Sequence, residues 1–150
     1  MTSMRWYPLV YLLLAVMVTT LLTSLAQSGF NLVAIASLTG GIAIGDILFT
    51  LGFDLRHFTL TYAPIALVNL LSVALLIKLV QAFARLWLAA LISALVLYFM
   101  LQLINSLAPM PTLIAANRTL SGTVVMLLCS AAGMGCYLWL LKRRQANAQI

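Results

Sequence analysis

A 150-residue chain that is 65% hydrophobic and 7% charged has too few polar groups to clothe a water-soluble domain. Soluble domains carry roughly 25% charged residues and 45–50% apolar ones, so the bilayer is the natural solvent here. The net charge of +6 comes from eight Lys and Arg against two carboxylates, but these bases sit at the ends of apolar runs rather than along one stripe, which argues against a nucleic-acid partner. Length leaves room for a single integral membrane domain over 1–150.

The first apolar run, 8–26, has the roughly 20 residues a helix needs to cross the hydrocarbon core. Pro8 suits a first helical turn. A competing reading takes Arg5 and Ser24-Leu25-Ala26 as the start and cleavage site of a signal peptide. The apolar stretch is long for that, and the remaining topology is the same in either case.

Residues 28–60 are harder to place. The piece 31–53 is long enough to span, yet Gly40, Gly41, Gly45 and Asp46 interrupt it. Positive charge decides between the topologies. With four spans and both termini cytoplasmic, Arg5, Lys78, Arg85, Lys142, Arg143 and Arg144 lie inside and only Arg56 and Arg118 outside. A fifth span gives a poorer split. The expectation is therefore a non-cytoplasmic cap hugging the membrane: a short interfacial helix near 30–38, a Gly-rich turn at 40–45 and a second helix over 46–57.

That second helix holds both carboxylates and the only histidine. Asp46, Thr50, Asp54 and His57 are spaced four, four and three apart, within an arc of roughly 80°. The favoured reading is a solvated face, with Asp46 as the helix N-cap. The sharper readings are a cation site of two hard oxygens and an imidazole, or a proton-accepting site. No cofactor and no metal are assigned; Asp46, Asp54 and His57 are the groups a cation would take, keeping several waters.

The second and third spans are read at 62–80 and 86–104, with the turn near 81–85. Asn69, Ser72 and Ser93 fall in mid-span, where uncharged polar groups serve as interhelical hydrogen bonds of about 0.6 kcal/mol. Asn105-Ser106 and Pro109-Met110-Pro111 mark a loop. Arg118 follows it on the same side as the stripe, either paired to Asp46 or Asp54 or snorkelling to headgroups. The last span, 120–141, stops at Lys142-Arg143-Arg144. Cys129 and Cys136 lie about 10.5 Å apart along that helix, too far for a disulfide. Ala131 with Gly135, and Cys129 with Gly133, give the small-residue spacing of a close helix contact, within the bundle or to a second copy.

Several chemistries are excluded. No CxxC, GxSxG, HExxH, P-loop or GxGxxG occurs, one histidine cannot supply bis-His haem ligation, and no serine lies near His57 in sequence. The segments Gly45-Asp46, Asp54, Phe58-Thr59-Leu60-Thr61-Tyr62-Ala63-Pro64 and Asn117-Arg118-Thr119-Leu120-Ser121-Gly122 resemble small four-span proteins of proteobacterial inner membranes. The resemblance implies topology and location and carries no activity with it.

The sequence thus predicts an all-α bundle of four transmembrane helices with an interfacial cap, in a bacterial inner membrane with both termini cytoplasmic. It predicts a non-enzymatic accessory or partner subunit of another membrane component. The alternative is a small channel or transporter subunit with Asp46, Asp54, His57 and Arg118 at its outer mouth. The expected partners are the lipid bilayer and another membrane protein, or a second copy through the last helix.

Overall fold

Four stretches of this chain lack anything that stops a helix, and each is long and apolar enough to cross a bilayer. A computed structural model describes residues 6–107 and 114–147. In it α1 (Tyr7–Thr39) and α2 (Ile44–Leu79) run for 33 and 36 residues. They are followed by α3 (Leu86–Leu107) and α4 (Leu120–Asn147), of 22 and 28 residues. One-turn 3₁₀ segments, Gln81–Ala84 and Ala115–Arg118, precede α3 and α4. The helices alternate up and down; α1 packs on α2 and α4, and α3 mainly on α4.

The core joins Leu12, Ala15 and Val16 of α1 to Tyr62, Leu70 and Val73 of α2, Leu97 of α3, and Met126 and Met134 of α4. The first helix is thus a full member of the bundle. Large apolar side chains cover the outside, including Met17, Leu25, Leu91, Phe99 and Leu128. Lipid is as apolar as leucine, so close packing and hydrogen bonds, rather than hydrophobic burial, must hold such helices together. Gly133 shows how. A Cβ there would collide with Thr19 Oγ1 and lie 3.1 Å from Thr19 Cβ, so only glycine allows α4 to approach α1 this closely. Gly135 has open space up to Leu86 Cδ1 at 4.0 Å. The small-residue spacing is therefore used within the bundle, through Gly133.

The interfacial cap expected from sequence does not form. α1 runs straight through 28–39 and α2 begins at Ile44, so the Gly-rich turn is present at 40–43 but joins two long helices instead of two surface ones. Gln27, Ser28 and Asn31 look like an exit from the membrane, but none of them stops a helix. The stop is Gly40, at φ 73°, whose N–H bonds to Ala36 O at 3.0 Å. This left-handed cap favours glycine. Pro64 lies inside α2, where its ring removes one ladder bond without ending the helix. At the other terminus, Lys142-Arg143-Arg144 ends the apolar run but not α4, which continues to Asn147.

Two contacts set the height of the four-helix section. Gln27 Oε1 accepts the Ala116 N–H at 2.8 Å, and Ile104 and Ile114 share a small apolar cavity with Phe58, Tyr62 and Ile65. The rest of the α1–α2 hairpin stands beyond the end of α3 as two paired arms. From Gln27 to Thr39 the helix rises about 18 Å at 1.5 Å per residue.

Candidate functional site

The polar groups of this protein fall at three levels, beginning in the seam between the arms. Asp54 turns toward α1, where its Oδ2 accepts from Ser28 Oγ at 2.9 Å and Asn31 Nδ2 at 3.3 Å. One and two turns nearer the tip, Thr50 and Asp46 line a crevice of about 310 Å³ with Leu32, Ile35 and Thr39 of α1. Of the stripe read as a solvated face, Thr50 and Asp54 are thus partly covered by the partner helix, while Asp46 and His57 stay exposed. The cause is the continuation of both helices, which gives this side a neighbour.

His57 departs from the stripe. It is exposed, stacks on Phe53 with ring centroids 4.1 Å apart, and places Nδ1 3.0 Å from Phe53 O. A carbonyl only accepts, so Nδ1 carries the proton. Among the described residues no three His, Cys, Asp or Glu side chains gather as a metal would require, so Asp46, Asp54 and His57 do not converge on one cation. Asp46 is not the N-cap either. That position falls to Ala43, which makes no side-chain cap bond, because the helix starts two residues before Asp46. The carboxylate sits within the first turn, where it favours the positive end of the helix dipole. Arg118 closes the 3₁₀ segment beside Gln27, with its side chain exposed.

The second level is a column of buried polar side chains on α1: Thr19, Thr20, Thr23, Ser24, Gln27 and Ser28. The threonines donate back to the carbonyls one turn earlier, at 2.9 Å to Ala15, 2.7 Å to Val16 and 2.8 Å to Thr19. This back-bonding satisfies a hydroxyl inside a span without a partner helix. Sequence alone assigns these residues no role beyond Ser24 in a cleavage site, although their four-residue spacing (19, 23, 27 and 20, 24, 28) already places them on one face.

The third level lies deep in the bundle. Asn69 Nδ2 donates to Ser130 Oγ at 2.6 Å and to Ser93 Oγ at 3.3 Å, and the two serine oxygens are 2.7 Å apart. All three residues are fully buried, so α2, α3 and α4 are tied at one point. Asn69 and Ser93 were expected in this role, and Ser130 was missed. Ser72, expected to join them, is exposed and bonds its own helix at Val68 O, 2.7 Å away. The node therefore acts as a clamp between three helices at one depth.

Four helices long and apolar enough to span, wrapped in apolar side chains and tied by buried polar bonds, define an integral multi-pass membrane protein. No family model, curated protein or solved structure matches the chain. The likeness to proteobacterial inner-membrane proteins read in residues 45–64 and 117–122 thus gains no support from them.

Proposed function

We propose that this protein is a non-enzymatic accessory subunit of a bacterial inner-membrane assembly, which it engages through the paired arms of α1 and α2. The observation that carries this reading is the surface of the arms. Beyond the end of α3 they present Val33, Leu38, Ile44, Leu48 and Phe49, each about two-thirds exposed or more. Large apolar side chains exposed to this degree outside the four-helix section suit contact with another protein. Charge supports the orientation: Lys78, Arg85, Lys142, Arg143 and Arg144 lie at the opposite end from the arms, and Arg56 and Arg118 at the arm end. The positive-inside rule then puts both termini in the cytoplasm.

The test is purification from native membranes in a mild detergent. A partner should accompany the wild-type chain and be lost from Leu48→Glu/Phe49→Glu, while the variant keeps its helical circular dichroism. A wild-type chain that purifies alone would sink the reading.

One observation favours the channel or transporter alternative: the polar column on α1 leads from Asp54 and Ser28 down to Thr19. Asp46, Asp54, His57 and Arg118 would form its outer mouth. Ion or proton flux into liposomes, abolished by Asp54→Asn, would establish this second reading in place of the first.

A further inference from the structure

The start of α1 and the end of α4 meet at the end of the bundle away from the arms. There Tyr11, Leu140, Arg143, Arg144 and Asn147 surround a concavity of about 360 Å³. Both guanidinium groups are held by aromatic faces: Arg144 Cζ lies 4.6 Å from the Tyr7 ring centroid and Arg143 Cζ 5.1 Å from that of Trp139. A ring engages the face of a guanidinium and leaves its in-plane N–H donors directed outward. Tyr11 and Asn147 add a phenol and an amide to the same lining.

The chain supplies no acidic side chain here. Its two carboxylates are Asp46 and Asp54, and from Asp54 to Lys78 α2 descends about 36 Å. Two positioned guanidiniums at the edge of a span, facing a concavity without a side-chain carboxylate, call for an anion from outside. Leu14 and Val18, one and two turns from Tyr11 on the same face of α1, are exposed toward the bilayer centre and offer an acyl chain a path.

We propose that this concavity binds the phosphate headgroup of an anionic phospholipid, with Arg143 and Arg144 as the phosphate-binding residues and the aromatic rings of Tyr7 and Trp139 as their supports. Planar guanidinium forks suit a phosphate better than an ammonium does, and basic pockets between spans are a recognised form of lipid site. The inference is independent of what the arms engage.

The experiment uses the full chain in a neutral, delipidated detergent. Phosphatidylglycerol is expected to raise the thermal unfolding midpoint by several degrees, and phosphatidylcholine to leave it unchanged. Arg143→Gln/Arg144→Gln should abolish the shift, whereas Lys142→Gln, outside the lining, should keep it. An equal loss from Lys142→Gln would mean general electrostatic attraction and overturn the site. An equal shift from inorganic phosphate at the same concentration would assign a soluble anion and overturn the lipid. Should the double glutamine variant not fold, Arg143→Lys/Arg144→Lys retains the charge and removes the forks; its apparent affinity for phosphatidylglycerol should fall about tenfold. Unchanged affinity would overturn the proposal.

Discussion

Asn69 occupies the depth at which a polar side chain has fewest alternatives, and its amide joins Ser93 and Ser130. Replacing it with alanine leaves the two serines to pair with each other, so the loss is that of the amide bonds and of the packing of a fully buried side chain. Asn69→Ala should lower unfolding stability by about 1 kcal/mol, and Ser72→Ala by close to nothing, in a reversible unfolding assay in detergent. Gly133 fails differently. Gly133→Ala drives a methyl into Thr19 Oγ1 and should cost about 1–3 kcal/mol. Thr19→Ala should return part of that loss in the double variant, which identifies the contact. Gly135→Ala, with open space before it, should be tolerated. Much of this scale was legible: Asn69, Ser93 and Gly133 carry signals in their own identities. The α1 threonines carry theirs only in their four-residue spacing, since each bonds its own helix, and Ser130 does not stand out, because its partners lie on α2 and α3.

At the scale of elements, the four spans were legible and their lengths were not. Hydropathy measures what the bilayer accepts, whereas a helix ends where its backbone ladder ends. Gln27, Ser28 and Asn31 have the polarity of an exit, yet Ser28 and Asn31 face Asp54 across the hairpin. Recognising that requires the register of the two arms, which no local pattern contains. This seam makes its own prediction. Asp54→Ala removes the shared acceptor, so hydrogen exchange should quicken at amides of 29–39 and 44–57. Amides around Leu70 and Met126 should keep their protection. Uniform protection across the arms would show that apolar contacts alone hold them together.

For the molecule as a whole, α3 sets the position in the bilayer. Its 22 residues span about 33 Å, close to the roughly 30 Å of hydrocarbon. Headgroups add roughly 5–8 Å on each side, so with α3 upright and centred on the hydrocarbon, arms reaching about 18 Å past the bundle would clear the lipid by about 10 Å. In a chain with Cys129 and Cys136 replaced by alanine, Gly41→Cys should react with a membrane-impermeant maleimide from the non-cytoplasmic side. Leu22→Cys, within the span, should not. Protection at Gly41 would place the arms in the membrane and remove the aqueous surface on which the accessory role depends.

Pro64 gives this geometry a mechanical meaning. The missing ladder bond lies just inside the bundle from where the arm leaves it, so α2 is most easily bent where the projecting rod meets its seat. The hairpin then behaves as a lever with its fulcrum in the bilayer. A load at the tip would flex α2 at Pro64 before reaching the clamp at Asn69. Pro64→Ala should stiffen the joint and narrow the distribution of spin-label distances between Leu48 and Leu95, each replaced by labelled cysteine.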